Sequence, residues 1–125
     1  MTTDLRVGDQ AEPRRFGPIT RTDIVRYAGA SGDFNPVHHD EEFAKAAGFP
    51  APLSVGMYQA GALVAWAADR YGRENVRRVR IRWKEPVFPG DVLTFHPEGE
   101  GEVHLTATKE NGGVAVEAWV TFARG

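Results

Sequence analysis

The chain has 125 residues and no cysteine, which excludes a disulfide framework, thiolate metal sites and a cysteine nucleophile. It also lacks a long apolar run, since no stretch approaches the roughly 20 residues of a membrane-spanning helix. The opening residues, Met1-Thr2-Thr3-Asp4-Leu5-Arg6, lack the basic-then-apolar pattern of a secretory leader. The expected location is therefore the cytoplasm, whose reducing conditions are compatible with a cysteine-free chain. No excess of charge exists either: 15 basic and 17 acidic residues leave a net charge of −2, which gives no electrostatic case for nucleic-acid binding. Repeats and low-complexity tracts are absent. The 14 glycines and 8 prolines are dispersed as turn punctuation, and the length suits one domain covering residues 1–125.

What is present is a clear succession of patterns. Thr20 stands as an N-cap before Arg21-Thr22-Asp23, with an acid three positions on, and Ile24, Tyr27 and Ala28 recur at helical spacing. A helix ending before Gly32 is expected. A second, short helix is expected over residues 40–47, with Phe43, Ala44 and Ala47 on its apolar side and Gly48 as its stop. Pro50 and Pro52 force an extended passage after it. Residues 57–68 are uncharged and apolar around nearly the whole helical circumference. Such a helix is buried on most sides, and this one should end at Tyr71-Gly72.

Beyond Gly72 the period changes to two. Val79, Ile81 and Trp83 alternate with Arg78, Arg80, Arg82 and Lys84, giving one core face and one cationic face. Turns are marked by Pro86, Pro89 and Gly90-Asp91, then by Gly99 and Gly101, and Asn111-Gly112-Gly113 signals a hairpin. The expected fold class is α+β, a four-stranded antiparallel meander wrapping one long helix. A sheet this small leaves an open edge. Pairing two copies edge to edge would close it, which favours a dimer of identical or non-identical chains.

One loop concentrates the chemistry. Ser31-Gly32-Asp33-Phe34-Asn35-Pro36-Val37-His38 places a carboxylate, a carboxamide and an imidazole on a segment that Gly32 and Pro36 keep from being a regular helix. Asp, Asn, Gly and Pro are the ordinary residues of turns, which is one reading. The other is acid–base chemistry, with Asp33 and His38 together holding and activating one water. No ligand set for a metal is present.

The run from Tyr27 through Asp33, Asn35, Pro36 and His38 to Asp40 resembles the MaoC-like, (R)-specific enoyl-CoA hydratases and related acyl-thioester dehydratases. The likeness continues through Ala47-Gly48-Phe49, Ser54-Val55-Gly56-Met57 and residues 83–91, and extends from about Gly8 to the last strand. It implies the hotdog fold, a long central helix wrapped by a curved antiparallel sheet and usually dimeric. It also implies reversible addition of water to a trans-2-enoyl thioester. Asp33 and His38 match the family's acid–base pair, Asn35 the residue supporting loop and water geometry at the substrate site, and Gly56 the glycine whose N–H helps form the oxyanion hole. The family needs no metal or separate cofactor, because coenzyme A or acyl carrier protein enters as part of the substrate. One departure stands out: the family commonly has His-Gly-Met where this chain has Val55-Gly56-Met57.

Other residues have plainer readings. His39 should point to solvent, and His96 and His104 read as ordinary surface residues. Tyr27, Tyr58, Trp66 and Trp119 are assigned to packing. The row Arg78, Arg80, Arg82 and Lys84 is either a solvated strand face or a contact for coenzyme A phosphates or an acidic carrier protein. Two other functions compete with the hydratase: a non-catalytic or substrate-binding subunit of a hetero-oligomer, and a thioesterase on the same fold.

Overall fold

A computed structural model describes residues 12–98 and 103–123, and the turn expected at Gly99 and Gly101 lies outside them, as does the likeness before Glu12. The first helix, α1 (Arg21–Ser31), starts as its sequence requires. Thr20 Oγ1 accepts from the Asp23 N–H at 3.0 Å and Asp23 Oδ2 accepts from the Thr20 N–H at 2.9 Å, a complete capping box. Gly32 ends it in the left-handed region at φ 78°, where a side chain would be strained. After one 3₁₀ turn (Pro36–His38) comes α2 (Glu41–Ala46), capped by Asp40. Only Ala44 of its expected apolar side is buried, and Phe43 stays 47% exposed because a helix this short has a single turn in contact with the body.

The long helix α3 (Gly56–Tyr71) lies across one antiparallel sheet made of β1 (Arg14–Phe16), β2 (Val76–Trp83), β3 (Leu93–Glu98), β4 (Val103–Lys109) and β5 (Val114–Phe122). Strand order is β1-β3-β4-β5-β2. This corrects the expected meander in two ways. A fifth strand, β1, pairs with β3 (Phe16 opposite Leu93), and β2 pairs with β5 rather than β3 (Ile81 opposite Ala118). The connection between β2 and β3 carries Pro86 and Pro89 and is too long for a tight hairpin, so it crosses to the far side of the sheet. The β4–β5 hairpin forms at the expected place, closed by Lys109 N–H to the Gly113 carbonyl at 2.7 Å.

Ala60, Leu63 and Ala67 of α3 meet Leu93, Leu105, Val116 and Val120 of the sheet in a single core. Rings extend that core sideways: Tyr27 packs on Tyr58, Tyr58 on Phe16, Phe16 on Phe95 and Phe95 on Trp66, at centroid distances of 5.2–5.9 Å. These four aromatic pairings bear out the packing assignment of Tyr27, Tyr58 and Trp66. The helix is less enclosed than its composition implies, with Met57 47% exposed. The same is true of β2. As an edge strand it leaves Val79 and Trp83 40% and 49% exposed, so its expected core face is only half covered. Among the described residues no helix is long and apolar enough to cross a membrane.

The capping box generates a stability prediction. Thr20→Ala should lower the unfolding free energy by about 1 kcal/mol in urea titration, the usual cost of losing such a cap. The Thr20 backbone N–H bonded to Asp23 holds that carboxyl below its ordinary value. Its contribution is therefore present above the ordinary carboxylate pKa and is lost as pH falls through the depressed one; Asp23→Asn should flatten that acid limb.

Candidate active site

The loop between α1 and α2 is built by its own side chains. The Asp33 N–H bonds the Ala28 carbonyl at 2.9 Å, continuing the turn that Gly32 makes. Asp33 Oδ1 accepts from the Asn35 N–H at 3.2 Å, and Asn35 Oδ1 accepts from the Val37 N–H at 3.0 Å. Two successive turns of this kind replace the helical hydrogen bonds that Pro36 cannot make. Asn35 thereby sets the loop's shape, and the Pro36–His38 turn delivers the imidazole. The turn reading and the site reading of this segment are therefore the same object.

His38 is held from its far side. Its Nδ1 lies 2.8 Å from the Leu53 carbonyl oxygen, while the Leu53 N–H bonds the Val37 carbonyl at 3.1 Å. A carbonyl accepts and cannot donate, so the proton of a neutral ring sits on Nδ1 and the lone pair on Nε2. Nε2 faces Asp33 Oδ2 at 3.4 Å. A lone pair and a carboxylate at that distance need a hydrogen between them. Either Nε2 is protonated and the two form an ion pair, or one water donates a hydrogen to each. Moving between those two states is one proton transfer. The imidazole is shielded, its side chain 11% exposed, whereas the Asp33 side chain is 40% exposed and open to an incoming molecule.

The strand-like passage that carries Leu53 runs directly into α3. Ser54 is fixed by its N–H to the Val87 carbonyl at 2.7 Å, and Gly56 begins the helix. Val55, the N-cap, is buried and supplies no capping side chain; the Tyr58 N–H bonds the Val55 carbonyl at 2.9 Å, and the Gly56 and Met57 N–H groups have no protein partner among the described residues. A cavity of about 240 Å³ brings His38 and Gly56 together, walled also by Ser54, Gln59 and Trp83. The Trp83 indole N–H donates to the Gly56 carbonyl at 2.9 Å, and a Cβ on Gly56 would stand 2.8 Å from that nitrogen. Any side chain here would have to displace the indole, so the constraint on Gly56 is close approach rather than backbone angle.

His38 and Gly56 thus line one cavity; Asp33 is not among its lining residues and joins it through the 3.4 Å contact with His38, and Asn35 shapes the loop that carries both. Ser54, Gln59 and Trp83 were not singled out as site residues by the sequence. The available signal was Gln59, the one carboxamide in the uncharged run 57–68.

His39 is exposed, as expected. His96 and His104 are not free surface residues: His96 Nε2 lies 3.0 Å from Thr108 Oγ1, and His104 stacks on Trp119 and sits 3.1 Å from Glu117. The alternation along β4 and β5 places His104, Trp119 and Glu117 on one sheet face, where cross-strand neighbours meet. Burial pushes the Glu117 carboxyl up, but hydrogen bonds from His104 and Lys84 outweigh it and leave the group below its ordinary value. The Arg80 guanidinium lies over the Trp119 ring at 4.5 Å and Lys84 pairs with Glu117 at 3.2 Å, so the cationic row is partly engaged by its own sheet. Among the described residues no cluster of three or more His, Asp or Glu could hold a metal.

A model of the family described as MaoC like domain matches residues 4–120. The chain is 31% identical over 124 residues to the (R)-specific enoyl-CoA hydratase of Aeromonas caviae, covering 97% of this chain and 86% of that protein. It is 34% identical over 88 residues to the peroxisomal hydratase-dehydrogenase-epimerase of Neurospora crassa, covering 69% of this chain but only 10% of that much longer protein. Several other curated relatives are likewise matched over no more than about a third of their length. Among solved structures, the (R)-hydratase from A. caviae superposes with a TM-score of 0.76 at 24% identity, over 91% of this chain and 95% of that one. That superposition establishes the hotdog fold.

The contact between Gly56 and Trp83 is directly testable. In Gly56→Ala the added methyl should push the half-exposed indole away and leave the core intact. The Trp83 ring N–H should then lose its protection from hydrogen exchange by NMR, while the Trp66 signal stays unchanged.

Proposed function

The chain belongs to the MaoC-like domain family, and on that premise we propose that it reversibly hydrates trans-2-enoyl thioesters to (R)-3-hydroxyacyl thioesters. The acyl group is carried by coenzyme A or acyl carrier protein, and no separate cofactor takes part. The observation supporting this most is the His38–Asp33 arrangement. The Leu53 carbonyl accepts a hydrogen bond from Nδ1–H, which leaves two acceptors, Nε2 and Oδ2, facing each other at 3.4 Å. One water donating to both is both held and activated.

The reaction follows from that geometry. The water oxygen bonds to C3 while one of its hydrogens passes to His38 Nε2. The C2=C3 electron pair moves through the thioester onto its oxygen, forming an enolate. The Gly56 N–H, at the positive end of α3, donates to that oxygen as its charge grows. The imidazolium, paired with the Asp33 carboxylate, then returns a proton to C2. Hydrogen and hydroxyl have been added and both residues are restored. Asn35 takes part by keeping Asp33 and His38 on the same side of the loop.

A dimer belongs to the same proposal. β2 has a partner on one side only, and its inward residues Val79 and Trp83 are left exposed; a second copy paired along this edge covers both. A cytoplasmic location fits the cysteine-free composition.

In a crotonyl-CoA hydration assay Asp33→Asn and His38→Ala should each lower kcat by at least about 100-fold, the lower end of what acid–base groups contribute. Melting temperatures should stay near that of the unaltered protein. Folded variants that keep their activity would remove the pair from the mechanism. Release of free coenzyme A instead of hydroxyacyl-CoA would make the protein a thioesterase. In sedimentation the protein should run at twice its 13.8 kDa chain mass, and Val79→Lys should shift it to the monomer.

A further inference from the structure

We propose that Gln59 is a second hydrogen-bond donor to the thioester oxygen, aimed by Ser54 and acting beside the Gly56 N–H; the inference rests on the hydratase reading. Gln59 is only 2% exposed, on a helix whose other inward residues are apolar. A carboxamide is costly to bury unless its donors and acceptors are used. Half of that requirement is met within the protein. The Ser54 hydroxyl, itself 3% exposed, donates to Gln59 Oε1 at 2.8 Å. The alternative acceptor for that hydroxyl, the Val55 carbonyl, is 3.4 Å away, so the shorter bond decides which end of the amide faces Ser54. The amide nitrogen has no protein partner among the described residues, and it is not sealed away from the cavity that Gln59 lines.

The position of this nitrogen matters. Gln59 follows Gly56 by three residues, which puts both on the same face of α3, one above the other. The two also wall the same cavity as His38. A thioester whose C3 meets the water at His38 carries its oxygen only a few bonds away, in the cavity where the chain offers donors. The Gly56 N–H is one and the Gln59 Nε2–H is the other. The other donors lining the cavity have partners: the Trp83 N–H bonds Gly56, the Ser54 hydroxyl Gln59 and the Ser54 N–H Val87, while the Lys84 ammonium pairs with Glu117 at 3.2 Å; Glu85, a carboxylate, accepts and does not donate. Ser54 is then a positioning residue, holding the amide so that its nitrogen end points inward. A pair of donors suits an enolate oxygen, whose second lone pair a single N–H leaves unsatisfied.

The test compares hydration of crotonyl-CoA with binding of butyryl-CoA, a saturated thioester on which no enolate forms. Gln59→Leu should lower kcat on the order of 100-fold, as loss of an oxyanion donor does elsewhere, while the butyryl-CoA Kd and the melting temperature move little. Gln59→Met, which keeps length without a donor, should behave the same way and serves if the leucine variant does not fold. Ser54→Ala, which frees the amide to rotate, should lower kcat less than either. Wild-type turnover in a folded Gln59→Leu or Gln59→Met protein overturns the proposal alone. So does a loss of turnover matched by equal losses in butyryl-CoA affinity and melting temperature, which marks a structural role. An unaltered protein that hydrates no enoyl thioester overturns the hydratase reading, and the proposal with it.

Discussion

The hydrogen bond from His38 Nδ1 to the Leu53 carbonyl, at 2.8 Å, is the contact on which the site depends. It joins the loop after α1 to the passage that starts α3, two segments fifteen positions apart in the chain. It orients the ring and selects its tautomer. Without it the imidazole would have no fixed relation to Asp33 and no reason to present a lone pair toward it. Buried polar groups with a full set of partners are rigid as well as specific, and here the rigidity falls where a reacting water must be held.

The fold serves this contact by bringing the start of α3 against the loop. The sheet supports the helix along its length through Leu63, Ala67 and their strand partners, and Val87 fixes the entry by accepting the Ser54 N–H. Trp83, at the end of the edge strand, closes the cavity by bonding to the Gly56 carbonyl. Structural and chemical demands therefore meet at residues 53–59.

Local signals were legible in the chain. The Thr20–Asp23 capping box, Gly32 as a stop, and the Asn111-Gly112-Gly113 turn all act within a few residues and appear where their chemistry puts them. The acidic and imidazole groups of the loop could be named for the same reason. Long-range placement was not legible. Alternation in β2 shows which residues share a face, but not that the strand lies at an edge with that face half open; only pairing with β5 decides it. β1 spans Arg14–Phe16, too short for any period to register. His104 and Trp119 read as separate residues until the β4–β5 register stacks one on the other. Periodicity places Gln59 in an apolar helix and says no more, because its role depends on Ser54 and on a cavity that no spacing rule describes.

The central claim is that the neutral His38 ring carries its proton on Nδ1 and keeps Nε2 free for the water. Nitrogen-15 NMR of the ring, at a pH where it is neutral, measures this directly. The bond to Leu53 requires a pyrrole-type shift for Nδ1 and a pyridine-type shift for Nε2. The opposite pattern, with the proton on Nε2 and donated to Asp33, would leave no base facing the water and would contradict the mechanism at its root.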